Sequence, residues 1–136
     1  MFQRRLFQPI LTICAAMALT QYCARAQQSY EVIVQNGAPM KTRDGVALHA
    51  DIYRPKADGK FPVILMRTPY DKSVGWAASP AYQIAGHGYV VIVQDVRGRY
   101  TSEGEFYPFR HESADGYDAV EWAAALPFSN GKVGMM

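Results

Sequence analysis

The chain has 136 residues, of which 49% are hydrophobic and 19% charged, a composition that fits one globular domain and excludes a disordered chain. Its formal charge of +2 comes from the N-terminal segment: without Arg4, Arg5 and Arg25, eleven basic residues face twelve acidic ones. That balance leaves no electrostatic footprint for nucleic acid, so no nucleic-acid partner is expected.

Residues 1–26 read as a signal peptide. Arg4 and Arg5 form a positive start, Pro9 to Leu19 an apolar stretch, and Ala24-Arg25-Ala26 has small residues at both positions a signal peptidase reads. A stable helical span needs about 20 apolar residues, so cleavage near Ala26 is expected rather than a membrane anchor. The mature form is then exported, periplasmic or secreted, with no membrane partner. Both cysteines, Cys14 and Cys23, fall in this leader, and the bulky Tyr22 before Cys23 disfavours lipidation. From residue 27 onward there is no cysteine, which removes disulfides, a thiol nucleophile and cysteine-ligated zinc, and leaves stability to the core.

Tyr30 to Gln35 alternates as an opening strand. Met40 to Leu48 carries Asp44-Gly45 between strand-like flanks, a hairpin signal, and the second arm continues through His49 to Tyr53 with apolar residues at alternate positions. Pro55 and the stretch Lys56 to Lys60 end it. Phe61 to Met66 and Tyr89 to Val93 are continuous apolar runs suited to strands buried on both faces. Between them, Pro80 to Gly86 makes a short helix stopped by Gly86 and Gly88. Glu112 to Leu126 is the clearest helix: Ala119, Trp122, Ala123 and Leu126 form one apolar stripe, with Asp115, Asp118 and Glu121 off it. Pro127 closes this helix, Ser129-Asn130-Gly131 turns the chain, and Gly131 to Met136 reads as a short buried strand arriving at a turn. Hairpin, strand, helix, strand, helix, strand predicts an α/β fold with a mostly parallel sheet covered by helices.

The motifs are ordered along this frame. Arg43-Asp44-Gly45-Val46, Asp51-Ile52-Tyr53-Arg54-Pro55, Arg67-Thr68-Pro69-Tyr70-Asp71-Lys72, Gln94-Asp95-Val96-Arg97-Gly98, Ser102-Glu103-Gly104-Glu105-Phe106 and Gly131-Lys132-Val133-Gly134-Met135 follow one another. Together they resemble the catalytic domain of the X-prolyl dipeptidyl-peptidase family in its broad sense, a group that includes cocaine esterase, α-amino-acid ester hydrolases and glutaryl cephalosporin acylases. The resemblance spans residues 30 to 136. It implies an α/β-hydrolase fold with a Ser-Asp-His triad in that chain order, a helical cap inserted after the nucleophile and a C-terminal β-sandwich.

The resemblance further implies that the nucleophile elbow G-x-S-Y-x-G begins one residue past Met136; no G-x-S-x-G occurs between Met1 and Met136. Residues 27–136 are therefore read as the N-terminal part of a hydrolase catalytic domain, inactive alone. One functional residue carries over: Tyr70 occupies the position of the tyrosine that family members use as an oxyanion-hole donor, beside the backbone N–H after the nucleophile. A phenol on a loop at the carboxyl end of a parallel strand can point at the charge developing on a tetrahedral intermediate, and Pro69 stiffens its approach.

Other conspicuous groups have structural readings. Arg97 pairs with nearby carboxylates and Gly98 permits a tight turn. Ser102 lacks the elbow motif, and Glu103 and Glu105, separated by Gly104, form no acid/base pair. His49, His87 and His111 precede the expected nucleophile, so none fits the hydrolase base, and their spacing matches no metal pattern. Trp122 is core. No cofactor and no metal are expected; the partner is a small ester, amide or peptide substrate. Three functions stay open: an exported esterase or acylase, a serine-type X-Pro dipeptidyl-peptidase, or a non-catalytic binding protein on a hydrolase scaffold.

Overall fold

The computed structural model describes residues 29–136; the expected signal peptide, Cys14 and Cys23 lie outside the described residues. In chain order come β1 (Val32–Lys41), β2 (Ala47–Pro55), β3 (Phe61–Thr68), α1 (Gly75–Gly86), β4 (Val90–Asp95), α2 (Glu112–Ala125) and β5 (Ser129–Met135). They build one five-stranded sheet in the order β1-β2-β4-β3-β5. The β1–β2 and β2–β4 pairs are antiparallel and the β3–β4 and β3–β5 pairs parallel, so the described sheet is mixed rather than mostly parallel.

The expected opening strand and first hairpin arm are one strand. A register shift between Gln35 and Ala38, with Gly37 at φ 66°, inserts a bulge that breaks the alternation but not the pairing with β2. The hairpin turn sits at Asp44-Gly45 as expected. Thr42 closes it from inside: its N–H donates to the Val46 carbonyl, its Oγ1 accepts from Val46 N–H, and its hydroxyl proton goes to Asp44 Oδ1 at 2.6 Å.

β4 is buried at all six positions because it is central and covered on both faces. Val90 and Ile92 face a core shared with Leu48, Ala50, Ile52, Val63, Leu65 and α2's Ala119 and Ala123. Val91 and Val93 face the other side, against α1's Ala77, Ala81 and Ala85. β3 is buried at Val63, Leu65 and Thr68, while Ile64 and Met66 are only half-buried, and β5, expected to be buried from Gly131 to Met136, is mostly exposed because it is the outermost strand of the described sheet. The α2 stripe lands as read, Trp122 and Leu126 packing from the edge of the core.

Two expectations about helices need correction. α1 begins at Gly75, five residues before the proline taken as its start, with Pro80 inside it. Its buried stripe is all alanine, which carries little hydrophobic signal but lets the helix lie close to the strands. Asp115, placed off the apolar stripe, is 1% exposed. It is the buried partner of Arg97, so the expected pairing of Arg97 with carboxylates holds, while Asp115 lies on the buried face of α2 with Ala119 and Ala123.

Candidate active site

Parallel strands deliver their carboxyl ends to one rim, and in open α/β sheets ligands bind there. Here the rim carries the loop after β3, with Tyr70, and the longer connection from β4 to α2. Tyr70 is 69% exposed. It stands at the edge of a cleft of about 470 Å³ whose walls include Pro69, Val96, Phe106, Pro108 and Phe109, with Arg67, Arg99 and Glu112 as the charged groups. Arg67 reaches across the sheet: Nε–H donates to Gln94 Oε1 at 3.0 Å and Nη1–H to Glu112 Oε2 at 2.6 Å, which ties the first turn of α2 to β3.

The segment around Tyr70 is tied down by the last residue of β3, by the last residue of β4 and by the connection that follows β4. Tyr70 N–H donates to Thr68 Oγ1 at 3.0 Å, and the Pro69 carbonyl accepts from Arg99 Nε–H at 3.0 Å. Asp71 holds φ 74°, a left-handed backbone that Asp tolerates better than most residues. Its Oδ1 accepts from both Ser73 N–H and Ser73 Oγ–H, and this holds its carboxyl below the ordinary value. Lys72 N–H donates to Asp95 Oδ1 at 2.9 Å, and Lys72 Nζ reaches Asp95 Oδ2 at 3.1 Å.

The connection after β4 folds on itself. Gly98 takes φ 66°, and a side chain there would bring its Cβ to 2.2 Å from the Phe106 nitrogen, so only glycine fits. Arg97 grips Asp115 with two bonds, Nε–H to Oδ2 at 2.9 Å and Nη2–H to Oδ1 at 2.6 Å, and extends Nη2 to Asp44 Oδ1 at 2.9 Å. These hydrogen bonds raise the Arg97 pKa further and hold Asp44, which Thr42 also hydrogen-bonds, well below the usual carboxylate range. Arg97 is thus an internal strut between hairpin, rim and α2, not an anion site.

The remaining residues fall as follows. Ser102 is 8% exposed; its Oγ–H donates to the Asp95 carbonyl at 2.7 Å and accepts from His49 N–H at 2.9 Å, so it is a structural bridge. Glu103 pairs its backbone N–H with the Ala47 carbonyl. His87 follows the end of α1 and His111 precedes α2, both exposed, while His49 is in β2; the three are on separate elements. What the sequence reading passed over is the Lys72–Asp95–Thr101 cluster. The parallel register accounts for it: Thr68 is paired with Asp95, so the carboxylate closing β4 flanks the loop leaving β3.

An antiparallel entry into parallel strands, with helices on both faces and functional loops at the carboxyl rim, defines the α/β-hydrolase fold. The chain belongs within it to the X-Pro dipeptidyl-peptidase (S15) family, whose pattern matches residues 44–136. It is 41% identical over 111 residues to cocaine esterase of Rhodococcus sp. (strain MB1 Bresler), covering 79% of this chain and 19% of that enzyme. Among solved structures it resembles a CocE/NonD family hydrolase from Staphylococcus aureus (TM-score 0.69, 31% identity, 77% of this chain and 22% of that one). An α-amino acid ester hydrolase is also similar (TM-score 0.65, 33% identity, 81% and 22%). The chain therefore spans 19–22% of the length of these relatives.

Proposed function

We propose that the protein is an exported serine hydrolase that cleaves an acyl ester or amide through an acyl-enzyme, with Tyr70 as one of its two oxyanion donors. The observation that carries this reading is the Tyr70 loop: an exposed phenol on a backbone hydrogen-bonded by side chains at Pro69, Tyr70, Lys72 and Ser73, at the carboxyl rim of a family-matched sheet. In this reading the nucleophilic serine follows β5 beyond Met136. Its Oγ attacks the acyl carbon while a histidine takes its proton. The carbonyl oxygen becomes an oxyanion held by the phenol O–H and a backbone N–H, and the alcohol or amine leaves with the histidine's proton. Water then repeats the sequence on the acyl-enzyme and frees the acid.

The family pattern also supports a second reading, release of X-Pro dipeptides by the same chemistry. The esterase or acylase reading is favoured by the cocaine esterase and α-amino acid ester hydrolase relatives. Nitrophenyl esters against X-Pro nitroanilides separate the two, and N-terminal sequencing of exported material should start near Gln27. The decisive test uses the protein expressed from its complete reading frame. Tyr70→Phe removes one hydroxyl and keeps the ring, and should lower kcat about 100- to 1,000-fold with little change in KM. A folded variant losing less than about fivefold makes Tyr70 a packing residue. The codons after Met136 supply a cheaper check: an elbow with Ala or Gly in place of Ser returns the chain to a non-catalytic scaffold.

A further inference from the structure

We infer that Asp95 is a positioning residue for Tyr70, and that its buried pair with Lys72 fixes where the phenol stands. The inference rests on the reading of Tyr70 as an oxyanion donor. An oxyanion donor acts only when its hydrogen-bonding atom sits about 2.7–3.1 Å from the developing charge. A ring that is 69% exposed is not held there by packing, so its place is inherited from the backbone of residues 69–72.

That backbone is anchored most deeply by Asp95, whose side chain is fully buried. Both of its oxygens are committed. Oδ1 accepts the Lys72 amide, two residues beyond Tyr70. Oδ2 accepts Lys72 Nζ at 3.1 Å and Thr101 Oγ1–H at 3.0 Å, while Thr101 Oγ1 accepts from the same Nζ at 2.8 Å. Three side chains close a ring, and Asp51 Oδ1, itself bound by Gly37 N–H, stands 3.9 Å from the ammonium on its other side.

The ring is fixed to the sheet by register. Asp95 pairs with Thr68, whose Oγ1 accepts the Tyr70 amide and whose carbonyl accepts Val96 N–H. Asp95 and Thr68 thus grip the loop on either side of Tyr70. A buried ion pair adds little net stability over apolar residues of similar volume, so stability alone does not account for this one. It does supply a charge-assisted, two-point hold on a loop that contains a left-handed Asp71.

A double-mutant cycle in the protein expressed from its complete reading frame tests the inference. Asp95→Asn and Thr101→Val should each lower kcat about 10- to 100-fold with KM within about twofold, the scale of a misplaced reacting group. In the Tyr70→Phe background the same changes should cost less than about threefold, because the donor they position is gone. Equal losses in both backgrounds overturn the inference and leave the role of Tyr70 intact. A Tyr70→Phe variant with unaltered kcat removes both. If Asp95→Asn does not fold, Thr101→Val, which loses one hydroxyl and keeps its shape, carries the cycle; unchanged kcat in that folded variant likewise overturns the inference.

Discussion

The loop after β3 is held chiefly by side chains that grip its backbone, whereas the connection after β4 combines turns of its own with ties to the hairpin, β2 and α2. Residues 69–72 are tied to Thr68, Asp95 and Arg99. Residues 97–105 turn back on themselves, through Gly98 N–H to the Glu103 carbonyl and Ser102 N–H to the Arg99 carbonyl, and Arg97, Ser102 and Glu103 fasten that compact turn to α2, the hairpin and β2. Beyond them Tyr107 and Phe109 are 65% and 92% exposed, the latter at φ 64°. The first loop fixes one group with external anchors; the second builds a rigid base and then presents aromatic surface. At one rim, geometric fidelity and contact area are supplied by different segments.

Breaking the base of the second loop should have the largest effect on stability. Arg97→Met leaves Asp115 buried with its charge unpaired and should cost about 3–5 kcal/mol, read as a lower urea midpoint. A loss under about 1 kcal/mol would mean that the strut is dispensable. Gly98→Ala forces a side chain onto the Phe106 backbone at a left-handed φ, and should cost on the order of 1–3 kcal/mol.

Acid should act on the same strut. Asp44 is held low by hydrogen bonds from Arg97 and Thr42, Asp71 by Ser73 and Asp118 by Arg43. A carboxylate whose folded pKa lies below its unfolded value of about 3.9 contributes stability above that value. The contribution is lost as pH falls toward the folded one. Urea midpoints should therefore drop between about pH 5 and pH 2, and Asp44→Asn should flatten that slope; an unchanged slope would remove Asp44 as a contributor. The smallest effect is expected where the chain is most exposed: Phe109→Ala should stay within about 0.5 kcal/mol of the parent stability. A larger loss would show that the aromatic segment is part of the packed base.

Most of the frame was legible because it is local. The Asp44-Gly45 turn, the apolar β4 and the α2 stripe each announce themselves within a few residues. The bulge at Gly37 hid the continuity of β1, since one extra residue inverts the alternation without ending the strand. The Ala77, Ala81 and Ala85 stripe hid the start of α1, because small side chains buried by close approach look neutral in sequence. Asp115 was misplaced because its burial is decided by a guanidinium arriving from eighteen residues earlier in the chain. For the same reason the motif pointed to Tyr70 but not to its support: the Lys72–Asp95 pair spans 23 residues and exists only once β3 and β4 lie side by side.

The central place of β4 has a consequence for how the chain is made. β2 and β3 are consecutive in sequence but not neighbours in the sheet; β4 lies between them. About forty residues separate the end of β2 at Pro55 from the end of β4 at Asp95. At a synthesis rate of about 5–20 residues per second, the inner edge of the β1–β2 hairpin stays without its partner for about 2–8 seconds. During that interval Leu48, Ala50 and Ile52, which end at 0–2% exposure, have β1 beside them but neither β4 nor α2, and an open strand edge is a template for pairing with another chain.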